Sequence, residues 1–147
     1  MIAYLDASAL VKNYFEEPGS DAVRDLLRHA LPATSRLTAV EVASALARRC
    51  REGDLVPDDR DQLLRDLNED LTVLYVVELV SDIVAEARAL LLRHPLRAAD
   101  AVQLASCLVL QGKVDSPMTF AAYDQRLLEA ARQEGLDVFE PEEPGQT

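Results

Sequence analysis

The sequence is poor in cysteine and histidine, and it contains no long apolar run. Its 147 residues include two cysteines, Cys50 and Cys107, and two histidines, all well separated along the chain. We therefore expect neither a disulfide framework nor a zinc site. The apolar runs are far shorter than the roughly 18 residues that a membrane span needs. The segment from Met1 to Asp6 lacks the basic start of a signal peptide. These absences predict a cytoplasmic protein with no membrane partner.

Positive charge is also scarce. Lysine and arginine total 15 against 26 aspartates and glutamates, which gives a formal net charge of −11. A polyanion such as a nucleic acid would be repelled at long range, unless a local basic patch or a bound cation reversed the field. Candidate patches are Arg48, Arg49 and Arg51 in one group and Arg24 with Arg28 in another. The favoured interpretation of both groups is an ordinary helix surface with ion pairs.

Short apolar or β-branched runs alternate regularly with amphipathic helical runs. The length and the 49% apolar content suit one globular domain. The alternation predicts an α/β fold with a central, largely parallel sheet flanked by helices. The predicted strands cover 2–5, 33–36, 72–77, 118–123 and 137–139, and the predicted helices cover 7–15, 21–30, 38–51, 57–70, 81–92, 97–110 and 125–134. Residues 1–140 are the expected domain, and 141–147 are predicted to be a flexible tail.

Two acids occupy the same position relative to a predicted strand. Asp6 follows the first strand and opens a helix, and Asp124 follows a later strand and opens another. Ligands bind open parallel sheets at the carboxyl ends of the strands, near the switch in strand order. The two carboxylates would converge there if the two strands were neighbours. The alternative is that each aspartate only caps its helix, as Ser20 is predicted to do for the helix that follows it.

Two further acids stand in predicted helices made otherwise of small and apolar residues. Asp100 is expected to be costly to bury unless it is paired or binds a metal. The alternative for Asp100 is a first-turn acid that interacts favourably with the helix dipole. Glu41 follows Thr38 by three residues, and this pattern also predicts a capping box at the start of that helix.

The four acids together predict a divalent-metal site. Clustered carboxylates repel one another, so a cation is expected to neutralise them. Oxygen ligands suit Mg²⁺ or Mn²⁺. Such ions can activate water and stabilise charge on a phosphoryl oxygen. The sequence contains no Walker A motif and no G-x-S-x-G motif.

In four segments the sequence resembles the PIN-domain ribonucleases, and in particular the VapC toxins of bacterial toxin–antitoxin pairs. The matching segments are YLDASALVK from Tyr4, TAVEV from Thr38, RAADAVQLA from Arg97 and FAAYDQRLL from Phe120. They occur in the family's order and extend over residues 1 to about 140.

This resemblance implies a three-layer PIN fold and a metal-dependent endoribonuclease. It implies that Asp6, Glu41, Asp100 and Asp124 bind Mg²⁺ or Mn²⁺ and activate water to cut RNA. It also implies that Ser8, which matches a hydroxyl residue of the first motif, supports that site. Implied partners are an RNA substrate, a cognate antitoxin and a second copy of the chain. One departure is Ala122, where family members often carry Thr or Ser, so a hydrogen bond to Asp124 or to the substrate is expected to be missing.

Two other interpretations compete with a nuclease. In an α/β phosphatase of the haloacid-dehalogenase type, Asp6 would be the nucleophile, but the second aspartate of the D-x-D motif is replaced by Ser8. A catalytically weak PIN-like binding or regulatory subunit would keep the fold without the chemistry. The presence of all four acids argues against that second alternative, whereas Ala122 leaves it open.

Overall fold

Helices cover both faces of one parallel sheet in the computed structural model, which describes residues 1–140. The predicted tail, 141–147, lies outside the described residues. The strands are β1 (Ile2–Leu5), β2 (Leu31–Ser35), β3 (Tyr75–Val77), β4 (Met118–Ala121) and β5 (Asp137–Val138). The helices are α1 (Ala7–Leu10), α2 (Ser20–His29), α3 (Leu37–Arg51), α4 (Pro57–Asp70), α5 (Ser81–Arg93), α6 (Ala98–Lys113) and α7 (Gln125–Gln133), with a 3₁₀ turn (Val11–Asn13) after α1.

The sheet reverses its strand order next to β1. The order is β3-β2-β1-β4-β5, and each strand pairs with its neighbour in parallel. The chain builds outward from β1 through β2 to β3, and then returns to the other side of β1 with β4. The Asp6 amide donates to the Ala121 carbonyl at 3.0 Å, so the two strand ends lie side by side. Such a switch point is where parallel sheets form their ligand sites.

Each face of the sheet has its own apolar core. Strand β1 is buried on both faces, as expected for a central parallel strand. The Tyr4 ring stacks on Phe120 at a centroid distance of 5.7 Å and packs with α5, α6 and α7 on one face. Ala3 and Leu5 pack on the other face with residues of α1, α2, α3 and α4. The predicted α/β class and its three layers are therefore confirmed.

Four of the five predicted strands have different bounds in the structure. Strands β4 and β5 end two residues and one residue earlier than predicted, and β2 and β3 differ at their starts. Strand β2 begins at Leu31, and it therefore includes Pro32, which the sequence analysis places before the strand. Proline is tolerated there because β3 pairs with β2 only from Ala33 onward, so the missing N–H has no strand to face. Strand β3 begins three residues later than predicted. The Thr72 amide and hydroxyl instead bond the Glu69 carbonyl in a turn after α4.

Six of the seven predicted helices also differ from the observed ones at one or both ends, and the helix predicted over 7–15 is α1 followed by the 3₁₀ turn. Ser20 is the first residue of α2, and the N-cap is Gly19 at φ 96°. A side chain at Gly19 would place its Cβ 2.9 Å from the Tyr123 hydroxyl, so both the backbone angle and the space require glycine. The Ser20 hydroxyl accepts from the Glu17 amide at 3.0 Å and fastens the preceding loop. Helix α6 continues past its predicted end at 110 to Lys113.

Candidate active site

Asp6 is a buried carboxylate at the carboxyl end of the central strand. It caps α1, and its Oδ1 accepts from the Ala9 amide at 3.0 Å and from the Ser8 hydroxyl at 2.7 Å. Asp6 is only 4% exposed. Burial raises its pKa to about 7, and the charges of Glu41 and Asp100 add to this rise, while the two hydrogen bonds oppose it. The ionised form of Asp6 is therefore destabilised, and a nearby cation would stabilise it.

Ser8 lies in α1 and links that helix to the loop that follows β4. Its hydroxyl donates to Asp6 and accepts from the Tyr123 amide at 2.9 Å. Ser8, which the sequence predicts to support the site, thus contacts Asp6 directly and also bonds the residue that precedes Asp124.

Asp124 caps α7, as one of its two predicted roles requires. Its Oδ1 accepts from the amides of Arg126 and Leu127 at 2.9 and 3.1 Å. Its side chain is 32% exposed, and Oδ2 faces Arg97 at 3.5 Å. Ala122, two residues before Asp124, is buried in the apolar core and has no side-chain donor to offer. The hydrogen bonds that orient Asp124 therefore come from the backbone amides of α7.

Asp100 lies in the first turn of α6, next to the same loop. Its side chain is 15% exposed, and Oδ2 lies 3.2 Å from Arg97 Nε. The charge of Asp100 is close enough to Asp6 to raise the pKa of that carboxyl. The structure therefore brings Asp100 to the edge of the sheet where Asp6 and Asp124 lie.

Glu41 completes the group from α3, but not through a capping box. The predicted pairing with Thr38 is wrong, because α3 begins at Leu37 and the Leu37 amide donates to the Ser35 hydroxyl at 3.1 Å. Glu41 Oε1 instead accepts from Gln103 Nε2 at 2.8 Å. Gln103 Nε2 also donates to the Thr38 hydroxyl at 3.0 Å.

Arg97 lies between two of the acids and was not singled out by the sequence analysis. Its side chain is 79% exposed, and its guanidinium contacts both Asp100 and Asp124. The hydrogen bond to Asp100 and the surrounding acids raise the pKa of Arg97. The signal available in the sequence was its spacing three residues before Asp100, which places both residues on one side of a helix.

The acids share one edge of the sheet without forming a closed ligand cage. Within residues 1–140, no group of three or more His, Cys, Asp or Glu side chains is close enough together to hold a metal ion. All four candidate ligands offer carboxylate oxygens, the donors that Mg²⁺ and Mn²⁺ prefer. A cation could bind here once Arg97 moves away from Asp100 and Asp124.

A groove with basic residues on its rim adjoins the acids. A cavity of about 560 Å³ lies between α1 and α3, and its lining includes Lys12, Arg48, Arg49 and Arg97. Glu17 pairs with Lys12 at 3.0 Å and with Arg49 at 2.6 Å. The other predicted patch is largely neutralised, as the favoured interpretation predicts. Arg24 pairs with Glu16 and Asp21, and Arg28 pairs with Asp25.

Comparison with known proteins identifies the family. The profile of the PIN domain matches residues 3–133. Ribonuclease VapC45 of Mycobacterium tuberculosis is 36% identical over 138 residues, which cover 93% of this chain and 94% of that protein. The chain belongs to the PIN domain family, and within it to the VapC ribonucleases. The resemblance noted in the sequence is therefore confirmed.

Solved structures agree with this fold. M. tuberculosis VapC20, described as a sarcin-ricin loop cleaving toxin, superposes with a TM-score of 0.65 at 18% identity, over 87% of this chain and 94% of that chain. A chain of the VapBC2 complex of Rickettsia felis, bound to a DNA fragment from its promoter, also gives 0.65 at 13% identity, over 95% and 98% of the two chains. None of the described helices is long and apolar enough to cross a membrane.

Proposed function

We propose that this chain is an endoribonuclease that hydrolyses RNA phosphodiester bonds with Mg²⁺ or Mn²⁺ held by Asp6, Glu41, Asp100 and Asp124. The main support is that four acids from separate elements lie along one edge of the sheet at the β1–β4 switch point, with Glu41 and Asp100 near Asp6 and Arg97 between Asp100 and Asp124. The 36% identity to a VapC ribonuclease supports RNA as the substrate.

The donor set and the environment of Asp6 both suit a divalent cation. The candidate ligands are carboxylates, and the pKa of the buried Asp6 is raised to about 7 because nothing nearby compensates fully for its desolvation. When bound, the ion would lower the pKa of a water molecule and stabilise negative charge on the phosphoryl oxygens. Ser8 would hold Asp6 in one orientation through the short hydrogen bond from its hydroxyl.

Arg97 is well placed to release its carboxylate partners and bind a phosphate of the RNA instead. It is exposed, and its guanidinium contacts Asp100 and Asp124 through ordinary ion pairs. A guanidinium binds phosphate with the same planar donors that it uses for carboxylate. We expect a phosphate of the RNA to take over these donors when a cation occupies the acids.

The basic groove would receive a neighbouring stretch of the RNA strand. Lys12 lies 4.3 Å from the centroid of the Tyr123 ring, and Arg49 lies 4.5 Å from that of Phe15. Cations and aromatic rings combined in one groove are typical of single-strand binding. RNA would compete with Glu17 for Lys12 and Arg49, so this groove would offset only part of the repulsion that the net charge of −11 imposes.

The same proposal includes the protein's partners and its domain. We place the chain as the toxin of a toxin–antitoxin pair, inhibited by a cognate antitoxin and active as a homodimer. The likeness of the fold to a chain of the R. felis VapBC2 complex supports the pairing with an antitoxin. We assign the catalytic PIN domain to residues 1–140.

Cleavage of RNA by the purified chain tests the proposal. Total RNA and single-stranded oligonucleotides would be incubated with Mg²⁺, with Mn²⁺ or with chelator. The parent chain would be compared with Asp100→Asn and with a control, Asp82→Asn. Asp82 is an exposed acid in the first turn of α5, the helix before the one that carries Asp100. Cleavage should need metal, disappear in Asp100→Asn and persist in Asp82→Asn. Absence of both cleavage and metal binding in the parent chain would favour a non-catalytic binding subunit instead.

A further inference from the structure

A buried chain of hydrogen bonds connects Glu41 to the centre of the sheet, and Gln103 is its middle member. Gln103 lies on α6 and is only 1% exposed. Its Nε2 lies 2.8 Å from Glu41 Oε1 and 3.0 Å from Thr38 Oγ1, and its Oε1 lies 2.7 Å from the Tyr4 hydroxyl. The amide therefore uses both N–H groups and its oxygen in contacts with α3 and β1.

Proton counting determines the direction of these bonds. A carbonyl can only accept, so the Thr34 hydroxyl donates its single proton to the Leu5 carbonyl at 2.7 Å. Thr38 must then donate to Thr34, at 2.7 Å, and accept from Gln103. An ionised Glu41 can only accept, and turning the amide over would place Gln103 Oε1 against that carboxylate. The orientation of the Gln103 amide is therefore set by Glu41 and Thr38, and the Tyr4 hydroxyl donates to the oxygen on its other side.

Glu41 requires such a constraint because its charge faces another acid. Asp6 is near enough to Glu41 for electrostatic repulsion, and a glutamate can relieve this repulsion by rotating into solvent. A hydrogen bond to an ionised acceptor is about twice as strong as a neutral one. The same helix that supplies Asp100 carries Gln103 one turn further on, so α6 controls two of the four acids.

We propose that Gln103 is the positioning residue of Glu41, holding the charged carboxylate toward the acidic edge of the sheet so that it can bind the cation. This inference rests on the proposed function, because it gives Gln103 a role through a candidate metal ligand. Residues that orient a ligand in this way change metal affinity by about 10- to 100-fold when they are removed.

The test measures Mn²⁺ binding to the full-length chain without RNA, by calorimetry or from the electron paramagnetic resonance signal of free Mn²⁺. Gln103→Met keeps the length of the side chain but removes the donors. It is combined with Glu41→Ala in a double-mutant cycle. Tyr4→Phe is the matched control, because it removes a hydroxyl from the same hydrogen-bond chain without touching the donor to Glu41. If Gln103→Met fails to fold, the double variant Gln103→Met with Tyr4→Phe takes its place. It removes both partners of the Tyr4–Gln103 hydrogen bond, so no buried Tyr4 hydroxyl is left without a partner.

The expected result is a loss of about 10- to 100-fold in Mn²⁺ affinity in Gln103→Met, and little loss in Tyr4→Phe. In the Glu41→Ala background, Gln103→Met should cause little further loss. A full further loss in that background would overturn the proposal, since Gln103 would then act on the fold as a whole. An unchanged affinity in Gln103→Met beside a reduced one in Glu41→Ala would overturn it while leaving the proposed function intact. Equal affinity in the parent chain and Glu41→Ala would overturn both.

Discussion

The buried carboxylate of Asp6 should make the metal-free protein less stable as the pH rises. Its pKa is about 7 in the folded chain against an ordinary value of 3.8. Between these values the folded state binds more protons than the unfolded state, so the free energy of unfolding falls with increasing pH. At 1.36 kcal/mol per pKa unit, the full effect is about 4 kcal/mol above pH 7. Roughly 3 kcal/mol of it develops between pH 5 and pH 8.

Asp6→Asn isolates this contribution, because asparagine has a similar shape and no charge. Urea unfolding in chelator would be measured at pH 5 and pH 8 for the parent chain, Asp6→Asn and Asp82→Asn. Other titrating groups affect all three proteins alike. The parent chain and Asp82→Asn should lose about 3 kcal/mol more than Asp6→Asn between the two pH values. Equal losses in all three proteins would refute the argument that Asp6 is an uncompensated buried anion.

Three further perturbations follow from the same geometry. Mg²⁺ at 100 times its dissociation constant should raise the free energy of unfolding by about 2.7 kcal/mol, and equal gains in the parent chain and Asp100→Asn in denaturant titrations would argue against this ligand. Ser8→Ala removes the hydroxyl that donates to Asp6 and should slow RNA cleavage by about tenfold in single-turnover assays; an unchanged rate would contradict the role of Ser8. Arg97→Gln removes the cation beside Asp100 and Asp124, so Mn²⁺ should bind more tightly and RNA more weakly, whereas weaker Mn²⁺ binding in calorimetry would contradict competition.

The sheet and the places of the candidate acids at strand ends and in helices could be predicted because the signals are local. An aspartate directly after an apolar strand is both a helix cap and a switch-point residue, and Asp6 and Asp124 prove to be caps at neighbouring strand ends. Asp100 was apparent because it interrupts an apolar helix. These patterns depend on a few adjacent residues, so no knowledge of the tertiary structure was needed.

The contacts around Glu41 and Arg97 could not be predicted because they join distant parts of the chain. The spacing of Thr38 and Glu41 is that of a capping box, yet both side chains bond Gln103, which lies 62 residues after Glu41. Arg97 reaches Asp124 across 27 residues. Tertiary packing decided these partners, and a local pattern gave the wrong one for Thr38.

Anomalous diffraction at the manganese edge would show whether Asp6, Glu41, Asp100 and Asp124 hold one metal centre. Crystals of the full-length chain would be grown with Mn²⁺ and the anomalous difference map calculated. We expect a strong peak bounded by these carboxylates, with the Arg97 guanidinium moved away from Asp100 and Asp124. No peak at this edge of the sheet, or a peak only elsewhere on the chain, would contradict it.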